Sequence, residues 1–396
     1  MTVTNDMLPT GINQDYILVT DDEVLQALCQ EWKDRPFLAM DTEFIRTSTF
    51  YPRAGLIQIN AGDENNYLLD PLALTQWDLF KALMLDSDIT KIFHSCSEDL
   101  QVFMAEMQLV PTPVFDTQLA GAFLGDGFGC SYQNLVRHYL EIDLPKGETR
   151  SDWLQRPLDP KQCHYAALDV ACLPVIYQSQ KQALVESGRQ SWFQEECERL
   201  LQNYRDEMAS DFSSYYLNIR GAWQLSQKAL NRLKLLAAWR EYRARKRNKP
   251  RNWIVQDKQL LEISRLDPRS LDELATVEDL DRNFMRHEAG EVLAVIKEAD
   301  NVPAEALPSE LPKPLDGRVK SRMRKAQNFV ETRAAELGLP VEMLSRKRWL
   351  TSLMQDLVAC EQESRGKDVP EVMLPDEMNG WRKPLLLPGL MEAMKA

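Results

Sequence analysis

A nine-residue segment near the start of the chain, FLAMDTEFI (Phe37–Ile45), is patterned as a buried β-strand but carries two carboxylates. Asp41 and Glu43 stand two positions apart, and side chains at that spacing point to the same face of a strand. Two like charges side by side cost stability unless a cation joins them. The segment therefore predicts a strand that presents two carboxylates to a shared cation.

The segments around this one predict an α/β domain. Residues 16–20, 56–60 and 66–70 are rich in β-branched and aromatic residues and predict strands, and the three strands within 37–70 are close enough for an antiparallel meander. Apolar residues at helical spacing predict helices over 21–32, 77–85, from 95, and over 116–124, 131–140 and 160–187, with a short strand over 91–94. This order favours a mixed sheet flanked by helices.

From about residue 192 onward the pattern is helical throughout. We predict an α/β domain over 1–195, a compact helical unit over 212–296 that the segment NKPRNW interrupts, and a second helical unit over 318–396. The proline-rich segment VPAEALPSELPKPLDG, residues 302–317, is typical of a linker between the two helical units. The chain therefore predicts three domains.

Three further acids lie among apolar neighbours: Asp99, Asp116 and Asp169. Asp169 follows Tyr165 by four residues in a helical pattern, so both side chains project from one helix face. Several converging carboxylates are typical of Mg²⁺ sites, where two ions about 3.5–4 Å apart can activate water and stabilise the leaving oxygen of a phosphodiester. Simpler interpretations stay open, since Asp99 suits the first turn of a helix and Asp116 suits an N-cap, the interpretation we favour for Asp116.

The charge distribution indicates nucleic-acid contact. The chain has a net charge of −13, but residues 1–200 hold 30 acidic and 14 basic side chains, whereas the rest hold 30 and 33. Residues 234–253, KLLAAWREYRARKRNKPRNW, carry eight basic residues and one acid. Basic clusters release counterions when they bind phosphates. We expect contact with nucleic acid from Arg243, Arg245, Lys246, Arg247, Lys249 and Arg251.

Two features near this basic stretch have other interpretations. Bases can stack on aromatic side chains, but we interpret Trp239 and Tyr242 as core residues of the helical unit. Further along the chain, basic residues at spacings of one to two form a second candidate patch. Its members are Arg318, Lys320, Arg322, Arg324 and Lys325.

The acids stand in motifs that resemble a known superfamily. DTEF (41–44), HSCSEDL (94–100) and HYAALDV (164–170) resemble, in order and spacing, the three exonuclease motifs of the DEDD superfamily. Tyr165 is typical of the tyrosine-type members, although His164 stands where the histidine type has its histidine. The segments FIRTSTFYPRAGLIQIN, LLDPL, FDTQLA and SDWLQRPL resemble bacterial ribonuclease D, a tyrosine-type family. Residues 212–296 resemble an HRDC domain, a nucleic-acid-binding helical module, and the C-terminal unit resembles a divergent second copy.

The resemblance implies a ribonuclease H-like fold and a metal site. It assigns metal binding to Asp41, Glu43, Asp99 and Asp169, with Asp41 bridging two ions, Mg²⁺ or alternatively Mn²⁺. Tyr165 would orient the attacking water, because a phenol with an ordinary pKa of about 10 is a poor base at neutral pH. Thr42 and Phe44, within the first motif, are expected to contact the nucleic acid.

The resemblance also implies the activity. We expect a 3′-5′ exoribonuclease that releases 5′-mononucleotides and trims tRNA precursors and other structured RNAs with a single-stranded 3′ end. A DNA-directed exonuclease in repair and a non-catalytic nucleic-acid-binding scaffold are the alternatives. We further expect a monomer in the cytoplasm, because the seven cysteines lack any paired spacing, the N-terminus lacks a signal-peptide pattern, and no apolar run approaches the roughly 20 residues of a membrane span.

Overall fold

The computed structural model describes residues 12–145, 151–364 and 374–394. The chain forms two compact units. The first contains the residues up to Ile45, those from Pro52 to Asp206 and those from Leu315 on, and the second contains Arg46–Tyr51 and Glu207–Pro314. In the described residues, no helix is long and apolar enough to cross a membrane.

The first unit is built on a mixed sheet, as the sequence predicts. Over the described ranges the sheet has six strands in the order β1-β4-β3-β2-β5-β6. The meander β2-β3-β4 is antiparallel, and the pairs β1-β4, β2-β5 and β5-β6 are parallel. The strands are β1 Tyr16–Val19, β2 Phe37–Ile45, β3 Arg53–Asn60, β4 Asn66–Leu69, β5 Thr90–Phe93 and β6 Val114–Asp116.

Eight helices connect and follow these strands between Tyr16 and Ala209 in the described residues. They are α1 Asp22–Trp32, α2 Asp78–Leu85, α3 Ser97–Met107, α4 Thr117–Leu124, α5 Tyr132–Leu140, α6 Pro160–Ala171, α7 Leu173–Glu186 and α8 Gln190–Ala209. The single helix predicted over 160–187 is wrong, because the chain breaks at Cys172 into α6 and α7. Pro174 cannot continue a helix from the preceding turn, and the Cys172 amide donates to the Tyr132 hydroxyl instead (3.3 Å).

Strand β2 is buried on both faces, which explains its apolar run. Leu38 and Met40 pack in the core that α1, α2 and α3 cover, whereas Phe37 and Ala39 pack in the core that contains residues of α4 and α7. Because side chains alternate along a strand, Asp41 and Glu43 continue the face of Phe37 and Ala39. The two carboxylates therefore extend beyond an apolar core on one side of the sheet.

The second unit is helical. Its helices are α9 Gln227–Arg247, α10 Arg251–Ile254, α11 Asp257–Leu266, α12 Leu271–Leu274, α13 Arg282–His287 and α14 Ala289–Ala299. Leu230, Leu233 and Leu236 of α9 form a core with residues of α11 and α14. The break predicted at NKPRNW is confirmed: Asn248 adopts φ 49°, and Pro250 precedes α10.

The C-terminal helices belong to the first unit. They are α15 Lys320–Leu337, α16 Val341–Leu344, α17 Lys347–Ser364 and α18 Arg382–Ala393. They pack against α8, where Arg382 Nη2 donates to Glu196 Oε2 (2.8 Å) and the ring of Trp381 stacks on Trp192 with centroids 5.0 Å apart. Residue 195, the expected end of the α/β domain, thus lies inside a helix that also supports the C-terminal segment.

Candidate active site

Three acidic side chains from two elements converge. Asp41 and Glu43 on β2 and Asp169 on α6 each offer a carboxylate oxygen, and these oxygens lie within 4.8 Å of one another. Helix α6 packs against β2, β3 and β4, which places Asp169 opposite the strand. The structure therefore brings together the acids of the first and third motifs.

The position of α6 follows from local sequence. Asp159 and Gln162 form a capping box at its start, and Pro160 occupies the first turn. One helix face is buried against the sheet, so Tyr165 and Asp169, half-buried and four residues apart, lie at the edge of that face. The Tyr165 hydroxyl hydrogen-bonds to Asp169, whereas His164 is exposed. This geometry favours the tyrosine-type interpretation of the third motif.

Asp99 joins the site from the first turn of α3 but lies outside the group of three oxygens. Its carboxylate is buried, and Thr42 Oγ1 donates to Asp99 Oδ1 (2.6 Å). Thr42, which we expected to contact nucleic acid, is only 5% exposed, so its hydroxyl serves Asp99. Phe44 is half-buried and follows a register shift between Glu43 and Phe44. The contact between Thr42 and Asp99 was not evident in the sequence.

The electrostatics of the four acids favour a cation. Burial, followed by the charges of neighbouring acids, raises the pKa of Glu43 to about 10 and the pKa of Asp41 and Asp99 well above their ordinary values. Burial and the charge of Asp99 raise the pKa of Asp169 to about 7, although the Tyr165 hydroxyl counteracts this. An all-oxygen donor set whose ionised forms repel one another fits a hard divalent cation.

Tyr165 is unsuited to accept a proton. Burial, followed by the charge of Asp169, raises the pKa of its hydroxyl above the ordinary value. The phenol therefore stays protonated at neutral pH and can act only through hydrogen bonds.

Asp116 has a structural role, and the N-cap prediction is confirmed. Its Oδ1 accepts the amides of Gln118 (2.9 Å) and Leu119 (3.2 Å) at the start of α4. It also accepts the amides of Ser95 (3.0 Å) and Cys96 (2.9 Å), which precede α3. Asp116 thus fixes the start of the helix that carries Asp99, a contact that the sequence pattern does not predict.

A cavity of about 190 Å³ adjoins the acids. Tyr165, Leu168 and Asp169 of α6 form one wall. The other wall includes Ser131, Tyr132 and Gln133 at the start of α5. The Tyr132 hydroxyl donates to the Leu168 carbonyl (3.0 Å), which holds the two walls together. Mixed apolar and polar lining of this kind is typical of a small-ligand site.

The basic stretch of the second unit is largely occupied by ion pairs. Arg243 and Arg247 pair with the buried Glu288. Arg245 and Arg251 pair with the buried Glu241. These four arginines therefore stabilise the helical unit, and their contact with nucleic acid stays a prediction that the geometry does not favour.

Lys246 and Lys249 differ from these arginines. Their ammonium groups lie 5.6 Å from the ring centroids of Tyr242 and Trp253, which are 56% and 60% exposed. The core interpretation of Tyr242 is wrong, because the buried positions of α9 fall on the opposite helix face. Trp239 is half-buried, and its Nε1 donates to Glu291 (2.9 Å).

The second candidate patch is partly occupied as well. Arg322 pairs bidentately with Glu361 (2.9 and 2.6 Å), whereas Lys320, Arg324 and Lys325 are exposed. The side chain of Arg318 lies outside the described part of the structure.

Comparisons with known proteins agree with this geometry. The 3′-5′ exonuclease family matches residues 16–184, and the HRDC domain family matches residues 229–296. Ribonuclease D of Pseudomonas paraeruginosa is 38% identical over 378 residues, covering 96% of this chain and 97% of the relative. Ribonuclease D of Escherichia coli is 35% identical over 381 residues, covering 95% and 97%. The crystal structure of Escherichia coli RNase D, described as an exoribonuclease involved in structured RNA processing, superposes with a TM-score of 0.83 at 32% identity and covers 96% of this chain and 98% of that chain.

Proposed function

The chain belongs to the ribonuclease D family, and from that premise we propose that Asp41, Glu43, Asp99 and Asp169 bind two Mg²⁺ ions. The protein is a metal-dependent 3′-5′ exoribonuclease that removes mononucleotides from the 3′ end of RNA. The metal assignment rests on one observation: carboxylate oxygens of Asp41, Glu43 and Asp169 lie within 4.8 Å of one another. The pKa values of these three carboxyl groups are raised, as expected where a cation would offset their charges.

Each residue has a distinct part in this proposal. Divalent ions at such a site supply a nucleophile from water at neutral pH and stabilise the departing oxyanion. Asp41 is electrostatically coupled to Asp169 and to Asp99, which suits it to bridge the two sides of the site. Thr42 holds the Asp99 carboxylate in one orientation. Tyr165 donates to Asp169, so the lone pairs of its oxygen stay available to accept a hydrogen bond from the attacking water.

We assign binding of the RNA body to the helical unit over 212–296, as an HRDC domain. Lys246 and Lys249 have exposed ammonium groups beside the exposed rings of Tyr242 and Trp253. Phosphates attract the lysines, and unpaired bases stack on the rings. The exonuclease domain would span 1–195, the linker 302–317, and a divergent HRDC-like unit 318–396.

The physiological substrates in this proposal are tRNA precursors and other structured RNAs with a single-stranded 3′ end. A monomer suffices, because one chain carries both the acids and the helical units. A cytoplasmic location suits the seven free cysteines, five of them buried, which would remain reduced there.

The test compares the wild type with Asp41→Asn on a 3′-extended tRNA and on a DNA strand of the same sequence, with Mg²⁺ and with chelator. We expect the wild type to release 5′-mononucleotides from the RNA, and we expect chelator or Asp41→Asn to abolish release. Asp88→Asn, at an exposed carboxylate in the turn before β5, is the matched control and should retain activity. Full activity of Asp41→Asn would show that this cluster of carboxylates is not the active site. Preferential digestion of DNA would reassign the activity to DNA repair.

A further inference from the structure

An exposed aromatic side chain and three consecutive cations meet on the surface of the first unit. Phe128 stands in the loop between α4 and α5 and is 49% exposed. The Arg346 guanidinium carbon lies 5.6 Å from the centroid of its ring, and Lys347 and Arg348 follow Arg346 and are also exposed. We call Phe128, Arg346, Lys347 and Arg348 the Phe128 surface.

The charge of this surface is not balanced by close ion pairs within the described residues, although Arg346 and Arg348 also lie 5.5 and 5.9 Å from the ring centroid of Trp349. Over the described residues, no carboxylate forms an ion pair with Arg346 or Lys347, and the pair of Arg348 with Glu377 is long (3.8 Å) and exposed. Other arginines in the same C-terminal segment, Arg322 and Arg382, pair bidentately with glutamates. Lys347 and Arg348 begin α17 and Arg346 immediately precedes it, at the helix end where the dipole disfavours positive charge. Ion pairing within the described residues therefore does not explain three consecutive cations here.

The loop of Phe128 leads directly to the active-site cavity. Phe128 precedes Ser131 by three residues, at most roughly 10 Å along an extended chain. Ser131, with the two residues after it, lines the cavity that Tyr165 and Asp169 also line. Gly127 and Gly129 flank Phe128 with φ of 98° and 74°, conformations that L side chains rarely adopt, so glycine is required to present the ring in this loop.

We propose that the Phe128 surface binds the single-stranded RNA just upstream of the nucleotide being removed. Phe128 stacks on a base, while Arg346 and Lys347 contact phosphates, the combination that single-strand-binding sites use. This inference rests on the proposed function, because it takes the terminal nucleotide to lie in the cavity beside Asp169. The surface then guides the strand towards the four acids.

The experiment measures kcat/KM on a dinucleotide and on an RNA strand of about ten nucleotides, a length within the usual range of single-strand sites. Phe128→Ala is expected to lower kcat/KM on the longer strand by about 5- to 150-fold and to leave the dinucleotide within about 2-fold. Arg346→Gln and Lys347→Gln are each expected to reduce the slope of log KM against log salt by about 0.7 on the longer strand. Arg333→Gln, at a cation on α15 that pairs with Glu336 (2.7 Å), is the control and should retain the wild-type slope.

Other outcomes separate the alternatives. If Phe128 and Arg346 only join the C-terminal helices to the exonuclease core, Phe128→Ala lowers Tm and reduces activity on both RNAs alike. Lys347→Gln stays informative in that case, because Lys347 has no ring contact among the described residues. Unchanged kinetics on the longer strand in all three variants would overturn the proposal and favour a protein partner for this surface.

Failure of the proposed function would be recognisable separately. If the wild type degraded neither RNA in Mg²⁺, the exonuclease assignment would fail. Fluorescence anisotropy of the labelled longer strand, without metal, would then test RNA binding by the Phe128 surface independently of catalysis. Equal affinity of the wild type and Phe128→Ala would refute RNA binding at this surface, and weaker binding by the variant would support it.

Discussion

Replacing Asp169 with asparagine should stabilise the metal-free protein and inactivate the enzyme. Asp169 is half-buried beside Asp41 and Glu43, with carboxylate oxygens within 4.8 Å. Burial is the largest cause of the unfavourable ionisation of Asp169, and the charge of Asp99 adds to it. Asparagine keeps the shape of the side chain and an oxygen that can accept the Tyr165 hydroxyl, but it removes the charge.

The pKa of Asp169 gives the magnitude and the pH range. Its pKa rises from 3.8 to about 7 on folding, a difference of about three units and therefore of about 4 kcal/mol. Between these values the unfolded chain is ionised while the folded protein binds a proton, so stability falls as pH rises from about 4 to 7. Above pH 7 the wild type carries the full destabilisation of about 4 kcal/mol from ionised Asp169, and below pH 4 this destabilisation vanishes.

Thermal unfolding in chelator over a pH series measures this effect. At pH 8 we expect Asp169→Asn to exceed the wild type by about 2–4 kcal/mol, or roughly 5–10 °C in Tm. The two proteins should converge towards pH 4. Mg²⁺ should narrow this difference, because binding at 100 times Kd stabilises the wild type by about 2.7 kcal/mol and the variant lacks one ligand.

Two results would refute the reasoning. If Asp169→Asn were no more stable than the wild type in chelator at pH 8, folding would not disfavour the charge of Asp169 as its raised pKa implies. If Mg²⁺ stabilised both proteins equally, Asp169 would not be a ligand. Asp88→Asn, at an exposed carboxylate, should match the wild type in both media.

Three further substitutions test other contacts. Tyr165→Phe should lower kcat by about 5- to 150-fold and weaken Mg²⁺ binding less than Asp169→Asn does, because the lost hydroxyl positions the water and donates to Asp169, while every carboxylate remains; a loss of Mg²⁺ binding as large as that of Asp169→Asn would contradict this. Asp116→Ala should lower the free energy of unfolding by about 2–4 kcal/mol in urea, since four amides lose their acceptor, and a change below 0.5 kcal/mol would count against it. Gly55→Ala should lower Tm measurably, because its Cβ would lie 2.5 Å from the Trp153 carbonyl oxygen; unaltered Tm would show that the backbone yields there.

Periodicity in the sequence was sufficient for most of the fold. The boundaries of β2 agree with the prediction, because its apolar residues alternate between two buried cores. The single helix over 160–187 was wrong, because apolar spacing continues through Cys172 while Pro174 and the Tyr132 hydroxyl interrupt the hydrogen bonding. Pro174 is visible in the sequence, whereas the Tyr132 hydroxyl is a partner 40 residues away from Cys172 in the chain.

The candidate site, like the fold, contains features that the sequence predicts and features that only the tertiary structure determines. The spacing of Asp41 and Glu43 on a strand, and of Tyr165 and Asp169 on a helix, determines which side chains share a face, because that depends only on the periods of the two elements. Tertiary structure alone decided three sets of contacts. They are the ion pairs that Glu241 and Glu288 form with arginines of residues 234–253, the hydrogen bond from Thr42 to Asp99, and the four amide hydrogen bonds to Asp116. Such pairings join residues far apart in the chain, and whether a charge is free or paired depends on which distant side chain packing brings beside it.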